Sequence, residues 1–225
     1  MTGEGMTVDD EPPPIGSIVD SPVQLAELYR APSRLVQAKK RLGLDDSSVE
    51  FIARSPFVLV GTVGADGGID VSPRGGPRGF VRVLDDRHVA LPDLNGNNLI
   101  DTLRAVVESG RIGMLFVVPG KDETLRLNGP AWVTTADEVL DLWTDELRRP
   151  TTAIVARVDE VFVHCAKAFR RGRVWDPESW AEADDAPSAL DVLSAQGVIG
   201  DVDETIVESM ERGYQADLAA DRPVD

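Results

Sequence analysis

Between residues 57 and 134 the chain is written in short apolar runs, each broken by a turn, and this spacing limits the fold more than any other feature. "FVLVGTV" (57–63) is a compact β-branched run and "GADGG" is a turn with glycines where a positive φ is needed. "IDVSP" (69–73) is its return strand. "FVRVL" (80–84) alternates, turns at Asp85-Asp86 and continues as "HVALP" (88–92). "RIGMLFVV" (111–118) and "TLRLNGPAWVT" (124–134) follow, with a turn at "PGKDE" between them. "TAIVARVDEVFVHCAKAF" (152–169) alternates for too long to be one straight strand, so it reads as two strands or one strongly bent strand. Six or seven short strands, mostly hairpin-linked and interrupted by single helices, predict an antiparallel barrel within an α+β fold, not a parallel α/β sheet.

Helices frame the barrel. Ser21-Pro22-Val23-Gln24 has the form of a capping box, so a helix is expected over about 22 to 30. "PSRLVQAKKRLG" (32–43) reads as a second helix ended by Gly43, and "DDSSVEFIARS" (45–55) as a third stopped by Pro56. Asn98 with Asp101 looks like an N-cap and its box partner, which predicts a helix from about 98 to 109. "ADEVLDLWTDELRR" (136–149) carries acids early and arginines late, as a helix dipole favours. Two amphipathic helices are expected in the tail, the second with Val202, Ile206, Met210, Tyr214 and Leu218 as an apolar stripe. That stripe suits packing on the chain's own barrel, or covering a partner subunit. The resulting division is a start and helical extension over 1–50, a barrel over 51–175 and an acidic helical tail over 176–225. The acidic, proline-rich opening "MTGEGMTVDDEPPPIG" reads as a disordered lead-in without the pattern of a secretory signal.

Charge placement narrows the function. Residues 51–133 hold nine basic and nine acidic residues, whereas residues 176–225 hold two against fourteen, which is −12 of the chain's net −16. A nucleic-acid partner needs a broad basic face, so none is expected. No apolar run approaches ~18 residues, so no membrane partner is expected either. His88 and His164 are the only histidines and Cys165 the only cysteine. That rules out an intrachain disulfide, suits a reducing cytoplasm, and leaves no set of ligands for an ordinary zinc site, so no metal is expected. It also argues against a Ser-His or Cys-His nucleophile, and no P-loop, dinucleotide fingerprint or calcium loop is present. No catalytic residue is assigned.

Three segments could handle an anion. In "SPRGG" (72–76), Arg74 can grip a phosphate in bidentate fashion while Gly75 and Gly76 let backbone N–H groups approach, or Arg74 is a solvated loop residue. "NGNNLIDTLR" (95–104) offers a helix N-terminus, or plain capping by asparagine. "HCAKAFRRGRVW" (164–175) concentrates Lys167, Arg170, Arg171 and Arg173 in an acidic neighbourhood, where they bind a ligand or bridge to the tail. Trp175 and Trp180 beside them could stack on a planar ligand.

The stretch from "SPFVLVGTV" through "DVSPRGGPRGF", "LPDLNGNNLIDTLRAVV" and "TLRLNGPAWV", about residues 50 to 135, resembles the pyridoxamine 5′-phosphate oxidase-like family of FMN-binding split barrels, and "VHCAKAFRRGRVWDP" resembles the C-terminal signature of its probable FMN-dependent branch. The resemblance implies a split β-barrel and a homodimer with FMN bound where two chains meet. It implies cofactor contacts from Ser72, Pro73 and Arg74, and phosphate contacts from Pro92, Asp93, Asn97, Asn98 and Leu99. Thr124 and Arg126 would stand near the flavin, with Lys167, Arg170 and Trp175 reaching it from the partner subunit. Asn97-Asn98-Leu99 stands where the vitamin B6 oxidase tends to carry a Ser-Arg-Lys run, so this chain is not expected to be that oxidase. The expected activity is FMN-dependent oxidoreduction of a small molecule. The alternatives are a non-catalytic flavin carrier or redox sensor, or a split barrel using a deazaflavin or haem.

Overall fold

The structure, a computed structural model, describes residues 16–223. The expectation of a disordered lead-in falls almost wholly outside them. The chain separates into two compact units, one ending at Ala38 and one running from Lys39. In the first, α1 (Pro22–Leu28) starts where its sequence signals place it. Pro22 occupies the first turn and Ser21 Oγ accepts the N–H of Gln24. α2 (Arg34–Ala38) is far shorter than the expected 32–43 helix. Its continuation is lost because Arg41 instead exchanges backbone hydrogen bonds with Val161, at 3.1 and 2.8 Å.

The second unit is an antiparallel, eight-stranded split barrel, one or two strands more than the sequence pattern suggested. Its elements are α3 (Asp46–Arg54), β1 (Phe57–Val63), β2 (Ile69–Gly75), β3 (Arg82–Val83), β4 (His88–Pro92), α4 (Asp101–Ser109), β5 (Arg111–Val117) and β6 (Thr124–Thr134). These are followed by α5 (Asp137–Leu140), β7 (Ala153–Arg157), β8 (Glu160–His164), α6 (Lys167–Arg171), α7 (Ala189–Ala195) and α8 (Glu204–Ala220). The long alternating run is therefore two strands. Strand order is β2-β1-β5-β6-β7-β4-β3, with β8 added to β6.

β6 belongs to both halves of the barrel. Its first residues pair with β8 (Thr124↔His164 to Asn128↔Glu160), and its last pair with β7 (Ala131↔Ala156 to Thr134↔Ala153). The changeover falls at Gly129, where a Cβ would stand 1.8 Å from the Arg157 carbonyl oxygen, so only glycine fits there. Inside, Val58, Val60, Met114, Phe116, Leu125 and Leu127 alternate inward to form the main core. Trp143 anchors a smaller cluster, fully buried, with its Nε1–H donated to the Phe80 carbonyl at 2.6 Å.

Trp143 also explains why the expected 136–149 helix stops early. After α5 the chain tightens into a 3₁₀ turn (Asp141–Trp143), and Arg149 folds back to bond both Asp137 and Asp141. In a continuous helix those residues would lie ~18 and ~12 Å away along the axis. The second tail helix forms as α8, but none of its residues is buried, and Tyr214 and Leu218 of the stripe stay exposed. Among the described residues no helix is long and apolar enough to cross a membrane.

Candidate functional site

A cleft of about 700 Å³ opens at the C-terminal ends of β2 and β4. One wall is Pro73-Arg74-Gly75 of β2, and the floor includes Phe80, Pro92 and Asp93. The loop from Leu94 to Ile100 forms a second wall, and Arg148 to Thr151 with the end of α8 form the third. Pro73, Arg74, Pro92, Asp93, Asn97, Asn98 and Leu99, singled out from sequence, thus lie around one space, and Ser72 stands beside it as a partner of Arg74.

Arg74 is the cation most carefully held there. β2 alternates, so Asp70, Ser72 and Arg74 share the face that α4 covers. Arg74 Nη1 donates to Ser72 Oγ at 2.7 Å and to the Pro73 carbonyl at 3.3 Å, and Nη2 donates to Thr102 Oγ1 at 3.1 Å. Thr102 passes its own proton to Asp70 Oδ2 at 2.8 Å. Every direct acceptor is a neutral oxygen, so the guanidinium is oriented while its charge stays available. The nearby carboxylate is Asp93, half-buried. Desolvation pushes its carboxyl above the ordinary value, and the Arg74 charge pulls it partly back.

The loop after β4 departs from the expected cap. Asn98 has φ +57°, in the left-handed region that asparagine tolerates, whereas an N-cap needs extended backbone. α4 begins three residues later, with Ile100 at its N-cap and no side-chain cap. Asn97 Oδ1 turns the loop instead by accepting the N–H of Leu99 at 3.0 Å. The first-turn N–H groups of α4 therefore lack a capping side chain. Of the glycines of "SPRGG", Gly75 lines the cleft and Gly76 has a packing role. The N–H of Gly76 is taken by the Pro56 carbonyl at 3.1 Å, and a Cβ there would strike the Phe80 ring atoms at 2.7 to 2.9 Å.

Thr124, Arg126, Lys167, Arg170 and Trp175 do not line this cleft. Thr124 is buried at the start of β6. Arg126 lies on the outer face of the sheet, its Nη2 bonded to Glu160 Oε1 at 2.7 Å and its guanidinium 5.4 Å from the Phe162 ring centroid. Its Nε is buried without a hydrogen-bond partner. Hydrogen bonding from Lys40, then from Arg126, holds Glu160 below the usual carboxylate range. Arg170 bonds Asp122 at 2.8 Å, Arg173 bonds Asp176, and Trp175 donates its Nε1–H to the Lys121 carbonyl at 2.7 Å. His164 packs edge-on against Phe162. Burial, with Arg126 and Lys39 adding to it, lowers its pKa. Sequence reasoning missed Asn95, Thr102, Arg148 and Asp221. The position of Asn95, the Asn of the "NG" pair shortly after β4, was visible, but Arg148 and Asp221 reach the cleft only through long-range folding.

The fold is thus an antiparallel split barrel whose cleft sets a partly exposed arginine beside an asparagine- and glycine-rich loop. Residues 44–165 match the profile of the pyridoxamine 5′-phosphate oxidase family, and the chain belongs to that family. A comparison with curated proteins finds no match. Among solved structures, HupZ of Group A Streptococcus is similar at 18% identity and a TM-score of 0.46, over 53% of this chain and 93% of its own. An FMN-binding protein from Syntrophomonas wolfei aligns at 10% identity and 0.38, over 52% and 87%. A protein described as an F420 reductase aligns at 12% identity and 0.37, over 54% and 98%.

Proposed function

We propose that this chain is an FMN-dependent oxidoreductase acting on a small organic substrate, with FMN bound between two copies of the chain. The observation that carries this reading is Arg74, held in the cleft by Ser72, Pro73 and Thr102 with its charge unspent. The donor set suits a phosphate: one oriented guanidinium, the backbone of Asn97 and Asn98, and an uncapped helix start, with Leu99, Pro92 and Asp93 beside them. Bound FMN would supply two-electron redox chemistry at its ring system. The chain's residues would seat and orient it and keep water from part of its surface.

The outer face of the sheet is the proposed contact with the second copy. Ile69 and Val71 project from β2 at 78% and 63% exposure, an unusual position for apolar residues on a strand. Beside them Gly61 and Gly113 lie opposite one another and open a trough of about 470 Å³ that ends at Asn128 and Glu160. On this reading Thr124 and Arg126 stand near the flavin, and the orphaned Nε–H of Arg126 provides a donor for it. Lys167, Arg170 and Trp175 are assigned to the partner's flavin. Haem is disfavoured because neither His88, engaged with Asp85 at 2.9 Å, nor His164 lines the cleft. The exposed Cys165 suits a reducing, cytoplasmic setting.

The absorption spectrum of the purified protein, with the mass of whatever is released on denaturation, tests the cofactor. Flavin bands and an FMN mass support the reading, and a colourless protein that takes up no added FMN defeats it. A loaded protein that passes no electrons to or from added reductants is the flavin carrier instead.

A further inference from the structure

α8 changes character along its length. Ile206 and Met210 in its first half are partly buried, whereas every residue over 211–219 is exposed. The far end is nevertheless held, and polar ties hold it. Asn95 donates its backbone N–H to Asp221 Oδ1 and its Nδ2–H to Asp217 Oδ1, each at 2.9 Å. The Arg148 N–H donates to the Asp221 carbonyl at 2.7 Å. Asn95 belongs to one wall of the cleft and Arg148 to another, so the end of α8 clasps the two, with Leu218, Ala220 and Asp221 on the cleft side. Between the partly seated half and the clasp lies Gly213. A Cβ there would meet nothing within 4 Å, so packing does not call for glycine, and its effect is to weaken the helix at that point. The side-chain bond that spans it, from Gln215 Nε2 to Glu211 Oε1 at 2.8 Å, is exposed to water.

We propose that residues 214–221 form a latch over the cleft, hinged at Gly213, and that a ligand enters and leaves when the latch swings off Asn95 and Arg148. This rests on the reading of the cleft as the ligand site. Opening breaks no buried apolar seam, since no residue of α8 is buried. It exchanges three hydrogen bonds for bonds to water, which places the segment at the low-stability end of the molecule. The latch bonds are made between parts of the chain and not to the ligand. They therefore govern entry and exit together and leave the equilibrium affinity alone, because a contact shared by the empty and the filled state does not shift the balance between them.

Two rates test the latch in the full-length protein. Arg212 is the only Lys or Arg in α8, so trypsin cutting at the Arg212–Gly213 bond reports opening without any ligand. Stopped-flow flavin fluorescence with FMN reports entry and exit. Asp217→Ala removes one tie, leaves both Asp221 contacts, and should speed cutting, FMN association and FMN dissociation by about 3-fold each with Kd unchanged. Helix propensity and the helix dipole act the other way, since alanine replaces an acid near a C-terminus, so a merely local effect would slow the cutting. Gly213→Ala stiffens the hinge and should slow all three rates by about 3-fold. Unchanged or slower cutting of Asp217→Ala overturns the proposal, as does faster cutting with unchanged FMN rates. A wild type that binds no FMN defeats the functional reading instead, and the cutting rates of the two variants then decide the latch by themselves.

Discussion

Arg74 in β2 and Arg170 in α6 carry the same guanidinium and differ in what answers it. Arg74 is gripped by a hydroxyl, a carbonyl and a threonine, with Asp70 relayed through Thr102 and Asp93 acting on it by charge alone. Arg170 is answered directly by the Asp122 carboxylate at 2.8 Å, and Arg173 by Asp176. Neutral partners fix direction and leave the charge to act on something else. A carboxylate partner fixes direction and cancels the charge. The contrast ranks the basic residues of this chain better than their clustering does, since in the densest cluster, 167–173, Arg170 and Arg173 are already drawn into ion pairs.

Four measurements can break or sharpen that ranking. Arg74→Ala should show the largest effect, a loss of FMN affinity of roughly 1–3 kcal/mol by titration, the scale of charge-assisted hydrogen bonds. Asp93→Asn should act in the opposite direction, tightening FMN several-fold at neutral pH by removing a like charge from beside the phosphate. Because the folded Asp93 carboxyl sits above its ordinary value, its protonated form contributes stability below the unfolded pKa, and that contribution is lost as pH rises through the folded pKa. Wild-type FMN affinity should accordingly rise as pH falls into that window, and Asp93→Asn should flatten the dependence. Its melting temperature should exceed wild type by more at pH 7 than at pH 4.

Thr102→Val should come third. It removes the acceptor of Arg74 Nη2 and parts Arg74 from Asp70, with about 1 kcal/mol lost from FMN binding and Arg74 itself intact. The smallest effect belongs to Arg170→Ala. Its ion pair is solvent-exposed, so chemical denaturation should change by less than ~1 kcal/mol. An FMN loss from Arg170→Ala as large as that from Arg74→Ala would reverse the ranking.

Much of the barrel was legible because strands announce themselves by alternation and turns by glycine. The limits of Phe57–Val63, His88–Pro92 and Thr124–Thr134 follow directly from those signals. Helix ends were less legible wherever a distant partner claimed the backbone or side chain. Val161 took the backbone of Arg41, and Asp137 and Asp141 drew Arg149 back on itself. The cleft was half legible. Residues close in sequence to the two strand ends could be grouped through the family resemblance. Asn95 meeting Asp217 and Asp221 across more than 120 positions has no local signature. What the sequence does display is Asp217 in the last turn of α8 and Asp221 at its C-cap, with Arg222 directly after them.

Because β6 draws its partners from both directions along the chain, the barrel has an order of assembly during synthesis. β5 precedes it, so the β1-β2-β5-β6 sheet can pair as soon as residue 134 has emerged from the ribosome. Its other edge must then wait for β7 and β8, which end at Arg157 and His164. During that interval Leu125 to Val133 presents unpaired backbone and apolar side chains, the kind of edge on which nascent chains associate. Slowing translation across the thirty codons after β6 should therefore lengthen the exposure of that edge and favour aggregation.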